Sequence, residues 1–438
     1  MKKIVKFSFA FILIFALGAF SSLYEKQPDR SWVKSARDRI PLKMPRIQAF
    51  EPKFPGTAQS LRYNFYVQNR YEIKSNFQLA ENKNGEAFAV DRNAGILYSL
   101  DSSSNKMKNM GDVFKAITSK YKETDSVNHL VMDLHFAFNK FFISIVTVKN
   151  SEKSECLTAY EFELSASRII NVNKFFQSPC IQDRKNTVMW GGRFADSVQN
   201  LFLSIGEQRY DRSGFPKNSA IAETERLNVE SVFGTILKFS PKLMGYEIYS
   251  NGHRNPQGLF FSIAKNKLYE SEHGPSGGDE INLIEKGDHY GWPYVSFGNA
   301  YGWPVTDGAP YKFSVESANT KFEDQLKTYG FIRGSHKGYS LPLMSWAPSI
   351  AASALAEVPD SPVLSDWKGN IILSTLQEKA LHRIVIENDV VVLDEKILLN
   401  FRIRDILVMK SGIIFIATDE GQLVSMRIVR NDGKWATD

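Results

Sequence analysis

The sequence predicts an all-β protein and, within that class, a β-propeller. Three observations carry this. Short runs of β-branched and aromatic residues recur from about residue 65 onward, each bracketed by Gly, Asn, Asp or Pro. Few stretches have helical periodicity, and no shift in composition marks a second domain boundary. About twenty strands at short spacing imply radial repetition or a large sandwich, and closed radial repetition best accounts for the scarcity of helices.

The N-terminal segment is of a different kind. Lys2, Lys3 and Lys6 precede an apolar run, Phe7 to Phe20, of about 14 residues. That is short for a membrane-spanning helix and suits a secretory signal, with Ala16-Leu17-Gly18 resembling a cleavage site. An uncleaved anchor is the competing reading, because Ala19 to Leu23 lengthens the apolar stretch. Either way residues 1–23 direct export, and the short basic-apolar form suggests a periplasmic location. Residues 24–64 hold several Pro and mixed charge and read as a linker; the propeller domain is expected over 65–438.

Within the domain the strand signals follow in order: 87–101, 141–148, 200–206, 234–240, 266–272, 369–376, 381–387 and 412–429. Cys156 and Cys180 are the only cysteines, and export into an oxidising compartment permits a bridge between them across what reads as a hairpin. Two buried thiols are the alternative.

Composition excludes several functions. With 438 residues and 43% hydrophobic content the chain can bury a sizeable core, and 13% aromatics exclude disorder. A single long apolar run excludes a multi-span membrane protein. The net charge of +6 is small for this length and argues against a nucleic-acid partner.

Two loops are rich in functional side chains. Gly252-His253-Arg254-Asn255-Pro256-Gln257-Gly258 displays a cation and an amide on a backbone shaped by Gly and Pro. Glu272-His273-Gly274-Pro275-Ser276-Gly277-Gly278-Asp279-Glu280 mixes carboxylates with accessible carbonyls, hard oxygen donors suited to Ca²⁺. The run at 274–278 also fits G-x-S-x-G formally, but a strand-like segment follows where a nucleophile elbow needs a helix, so Ser276 is set aside.

These blocks resemble the glucose/sorbosone dehydrogenase family, soluble aldose dehydrogenases that use pyrroloquinoline quinone. The matching runs are GHRNPQGL (252–259), EHGPSGGDEIN (272–282) and HYGWPYVSFG (289–298). Weaker ones are GGRF (191–194), SIGEQ (204–208), PLMSWAPSIAASAL (342–355) and FRIRDI (401–406). The resemblance implies six blades. It places Arg254 and Asn255 against the quinone, gives Arg402 and Arg404 its carboxylates, and sets Trp346 as an aromatic at the pocket. Guanidinium forks suit a tricarboxylate. It assigns the carbonyls of Gly274 and Pro275 to the cofactor Ca²⁺, and the Glu280 side chain with the Tyr290 carbonyl to a second, structural Ca²⁺.

Two positions depart from the family pattern. The family's catalytic His falls on Met189, which cannot accept a proton from a sugar hydroxyl. A cofactor-binding Lys falls on Gln377, which carries no charge. His336 is the candidate substitute base; His253 and His273 are expected to brace their loops. The implied function is oxidation of an aldose at its anomeric carbon to a lactone, with an external electron acceptor. The alternative is a catalytically degenerate propeller that binds a sugar or small anion. A metal-dependent lactonase on the same scaffold ranks third.

Overall fold

In the computed structural model, the described residues are 57–59, 63–71, 75–121, 127–149, 154–165, 167–182, 189–207, 232–240, 242–275, 277–292, 295–298, 332–333, 336 and 338–430. The expected signal or anchor at 1–23 lies outside them, as do Ser276 and the second Tyr-Gly-Trp-Pro run at 301–304.

Six antiparallel sheets follow one another along the chain. Blade 1 comprises Phe77–Glu81, Ala87–Asp91, Ile96–Leu100 and Met107–Asp112. Blade 2 comprises Val127–Ala137, Lys140–Lys149, Ser154–Ser165 and Arg168–Gln177. Blade 3 comprises Gly191–Asp196, Leu201–Ile205, Thr235–Phe239 and Tyr246–Asn251. Blade 4 comprises Pro256–Ser262, Lys267–Glu272, Asp279–Ile284 and Met344–Trp346. Blade 5 comprises Ala352–Glu357, Ile371–Thr375, Ala380–Glu387 and Val390–Leu398. Blade 6 comprises Ile403–Val408, Ile413–Thr418 and Leu423–Arg430, and it is completed from the other end of the chain: Tyr63–Tyr71 pairs with Leu423–Arg430, and Thr57–Gln59 adds outside it. This joins the two ends of the domain and closes the ring. It also places strand residues inside the stretch 24–64 read as a linker.

The first strands of successive blades neighbour one another around the ring, with the sixth returning to the first. Both faces of a blade are covered, so its strands are buried on both sides; Ile371–Thr375 and Ile413–Thr418 are buried at every residue. The apolar residues form six clusters, one at each junction between neighbouring blades. One α-helix, Val113–Tyr121, follows blade 1, capped by the Asp112 carboxylate on Lys115 N at 2.8 Å and buried through Val113 and Ile117. Cys156 and Cys180 are bonded, tying the third strand of blade 2 to the segment that follows its fourth.

One irregularity positions the site. The pairing between first and second strands shifts register in blades 2 to 6, at Val131/Asp133, Gly191/Phe194, Pro256/Gly258, Ala352/Leu355 and Ile403/Asp405. A bulge re-aims the residues it contains. Those residues include Arg193, Gln257 and Arg404, three of the polar side chains that make the centre.

Candidate functional site

At the centre Arg193 joins four blades. Its guanidinium bonds Asp405 at 2.6 Å, Asp133 at 3.1 Å and Gln78 at 2.5 Å, so first strands of blades 6, 2 and 1 meet one residue of blade 3. Asp133 also accepts Phe194 N at 2.7 Å, and Asp405 accepts Leu79 N at 2.8 Å, so each carboxylate stitches adjacent first strands together. Burial pushes the Asp133 carboxyl up to about 6, against the pull of Arg193 and with Asp405 adding to the rise. Arg92 is brought down to about 10 by burial and by Arg404.

The Arg254 loop packs against the Gly-Pro loop. Arg254 Nη1 donates to the carbonyls of His273 and Gly274, both at 2.9 Å, and its guanidinium lies 5.3 Å from the Trp292 ring centre. Asn255 accepts from Gln257 Nε2 at 3.0 Å, while Arg404 Nη1 reaches Gln257 Oε1 at 3.5 Å. Gln257, sitting in a bulge, thus connects the two Arg clusters. Arg404 forms a bidentate pair with Asp419 at 2.7 and 2.9 Å, and Arg402 joins the same carboxylate at 3.3 Å. Burial would raise Asp419, but Arg404 and Arg402 hold it below the ordinary carboxylate range.

The four residues expected at metals line one small cavity: Gly274, Pro275, Glu280 and Tyr290, together with Arg254, Glu272, Trp292 and His336. The loop carboxylates serve different ends. Asp279 accepts Gly274 N at 3.0 Å, Ser349 Oγ at 2.7 Å and Ala351 N at 2.6 Å, so it pins backbone on two blades. Glu272 Oε2 accepts Arg254 N and Asn255 N, at 2.5 and 3.3 Å. Glu280 faces His336 Nε2 at 3.1 Å, and burial pushes its carboxyl up to about 7 against that hydrogen bond.

His336 is 3% exposed, bonded through Nδ1 to the Ser340 carbonyl at 3.0 Å and stacked on Phe297 at 4.8 Å. Burial opposes its charge, but Glu280 outweighs burial and leaves its pKa raised. His336 therefore belongs to the Glu280 cavity, and both of its nitrogens are engaged there. Met189 precedes the first strand of blade 3. A Cβ at Gly206 would come within 1.9 Å of the Met189 carbonyl, so only Gly fits that turn. Next to it Glu207 N donates to the Arg254 carbonyl at 2.7 Å, which links the Met189 turn to the Arg254 loop.

Of the remaining expected residues Trp346 lies apart, while Gln377 follows Leu376, whose carbonyl accepts from Arg402 Nη1 at 3.3 Å. Trp346 packs in the core between blades 4 and 5, 8% exposed, its indole donating to Asp394 at 3.0 Å and meeting His382 edge-on. Gln377 is exposed on the turn after Ile371–Thr375 and is held through its backbone N on the Ile350 carbonyl at 3.0 Å. Gln78, Asp133 and Asp405 were not picked out from sequence. The only signal for Asp405 is its place after Arg404 in the FRIRDI run; Gln78 and Asp133 stand in ordinary strand patterns.

The family model for glucose/sorbosone dehydrogenases matches residues 73–425. Aldose sugar dehydrogenase YliI of Escherichia coli is 31% identical over 246 residues, covering 54% of this chain and 59% of its own length. Quinoprotein glucose dehydrogenase B of Acinetobacter calcoaceticus is 29% identical over 279 residues, covering 54% of this chain and 57% of its own. The chain thus spans somewhat more than half the length of these two curated relatives. Among solved structures, the apo-form of the soluble aldose sugar dehydrogenase of Escherichia coli superimposes with a TM-score of 0.61 at 21% identity, covering 84% of this chain and 99% of that one. The PQQ-bound aldose sugar dehydrogenase of Streptomyces coelicolor gives 0.56 at 17% identity, covering 85% and 100%. These superpositions establish the six-bladed propeller. With a match across residues 73–425 and that fold beneath it, this chain belongs to the glucose/sorbosone dehydrogenase family.

Proposed function

We propose that this protein is an exported aldose dehydrogenase that binds pyrroloquinoline quinone and Ca²⁺, oxidises a sugar at its anomeric carbon to the lactone and passes electrons to an external acceptor. The observation that carries the reading is the convergence of Arg254, Arg402 and Arg404 on one hydrogen-bonded network. Arg402 and Arg404 share one carboxylate, Asp419, while Arg254 donates to backbone carbonyls. Through Gln257 and Asn255 these side chains join one network, a donor set that fits a tricarboxylate. Arg254, Arg402 and Arg404 would hold the quinone, and the Gly274 and Pro275 carbonyls would hold its Ca²⁺. When bound, the quinone supplies the two-electron acceptor.

The chain's own residues set the rest. Gly206 and Glu207 fix the Met189 turn against the Arg254 loop; if residue 189 takes the place of the family's base, as the resemblance implies, a thioether there cannot take a proton. Proton removal therefore falls to solvent, and turnover is slow. Among the described residues no helix is long and apolar enough to cross a membrane; the apolar run within residues 1–23 is the segment we assign to export or anchoring. The test is reconstitution with quinone and Ca²⁺ followed by a dye-linked screen of aldoses. Saturable quinone binding with weak, sugar-dependent dye reduction supports the reading. Absence of quinone binding in the presence of Ca²⁺ sinks it.

A further inference from the structure

We infer that the protein has a buried site for a borderline divalent transition metal, formed by His253, Glu270 and Glu272 and separate from the residues expected at Ca²⁺. One ligand atom from each of the three lies within 4.8 Å of the other two. Glu270 and Glu272 stand two apart on the strand Lys267–Glu272, so both side chains leave the same face. His253 comes from the loop after blade 3 and approaches that face, its Nδ1 3.9 Å from Glu272 Oε1.

Each side chain is already oriented through its other atom. Ser250 Oγ bonds His253 Nε2 at 2.9 Å, Asn282 Nδ2 donates to Glu270 Oε2 at 3.0 Å, and two backbone amides hold Glu272 Oε2. Outer partners of this kind orient metal ligands. What remains is inward-facing and unsatisfied. His253 Nδ1 and Glu270 Oε1 have no hydrogen-bond partner among the described residues, and both residues are 0% exposed. Buried polar atoms without partners are costly.

The nearby protein cations are committed elsewhere: Arg254 donates to the carbonyls of His273 and Gly274, and His336 faces Glu280. A divalent cation would neutralise Glu270 and Glu272 and satisfy Nδ1 together. One imidazole and two carboxylates, with no backbone carbonyl, suit Zn²⁺, Mn²⁺ or Co²⁺ better than Ca²⁺. Ligands of a tetrahedral site lie about 3.3 Å apart, so closure needs side-chain shifts of about an ångström. Glu272 also lines the small cavity of Glu280 and His336.

The full chain, stripped with chelator, is titrated calorimetrically with Zn²⁺, Mn²⁺ and Co²⁺ in turn, in excess Ca²⁺. One equivalent should bind without displacement by Ca²⁺, and the Mn²⁺ form should show coupling to an imidazole nitrogen in pulsed electron paramagnetic resonance. Glu270→Gln should weaken binding at least about 100-fold, and Ser250→Ala, which keeps all three ligands, about 10–100-fold. Glu280→Gln, which keeps all three ligands, should weaken binding far less than Glu270→Gln. The inference fails if none of the three metals binds saturably, if Glu270→Gln binds like the parent, or if Glu280→Gln alone abolishes binding.

Discussion

Replacing Arg193 by Met is the most direct test of what holds the centre together. The substitution keeps most of the side-chain volume and removes the one guanidinium that bonds Asp133, Asp405 and Gln78. The two carboxylates it pairs are 5% and 1% exposed, so water cannot replace it. Removing one partner of a buried ionic group costs about 3–5 kcal/mol, which is roughly two to four decades in the unfolding equilibrium. The cost must depend on pH. Burial already raises Asp133 from 3.8 to about 6 in the native protein. A carboxyl raised on folding contributes stability that is complete below about 3.8 and lost as pH climbs through its folded value. Without Arg193 the folded value rises further, so the penalty is largest at neutral pH and shrinks toward pH 4, where protonated carboxyls are tolerated in the interior. Urea unfolding followed by far-ultraviolet circular dichroism at pH 7.5 and 4.5 reads the difference as a shift in midpoint at constant m. Adding Asp405→Asn should restore part of the loss, because it removes one stranded charge and keeps an acceptor for Leu79 N. A penalty below about 1 kcal/mol at pH 7.5, or one equal at both pH values, refutes the account of Arg193 as the keystone of four blades.

Three further outcomes follow from other parts of the molecule. Reducing the Cys156–Cys180 bond, which spans a sequence separation of 24, should cost about 3 kcal/mol of stability in the chain-entropy estimate, read as a lower unfolding midpoint in reductant. Burial lowers the His382 pKa, but Asp394 at 2.6 Å and Glu378 at 2.9 Å outweigh burial and raise it above 6.5; the charged ring therefore stabilises below that value and ceases to as pH rises through the raised one. His382→Gln should accordingly cost more stability at pH 6 than at pH 9, and equal losses would count against it. Met189→His should raise sugar turnover by part of the 10²–10⁴-fold typical of a positioned base, and adding Gln377→Lys should tighten quinone binding by roughly one to two decades. Unmodified protein that turns over as fast as Met189→His would mean another group accepts the proton.

Several of the residues that meet around Arg254 and Arg404 are legible in the chain because they come in runs. Arg254 and Asn255, Gly274 and Pro275, and Arg402 and Arg404 each occupy one loop or strand start, and short runs with Gly and Pro keep their shape from sequence to structure. The cysteine pair was legible for a related reason: a hairpin brings its own two ends together, whatever the rest of the molecule does. Asp133, Asp405 and Gln78 were not legible. They lie in strands of blades 2, 6 and 1, and only closure of the ring brings them to Arg193. The sequence offers His336 as a substitute base because its loop could approach the central pocket; only the fold shows that its two nitrogens face Glu280 and the Ser340 carbonyl.

By itself, then, the sequence determined the class of fold, since alternation and turn residues act over a few positions. It also marked the two Gly- and Pro-rich loops that pack together through Arg254. The tertiary structure decided which strand completes the last blade: Tyr63–Tyr71 pairs with Leu423–Arg430 across the whole length of the domain, a contact without local signature. It decided as well that bulges in five first strands aim Arg193, Gln257 and Arg404 as they do. A bulge is a mismatch of register between two strands, and neither strand's sequence alone contains it. The same reason separates Asp279 from Glu270: both are acidic residues on blade 4, yet the first is met by four hydrogen-bond donors and the second has an oxygen without a partner among the described residues.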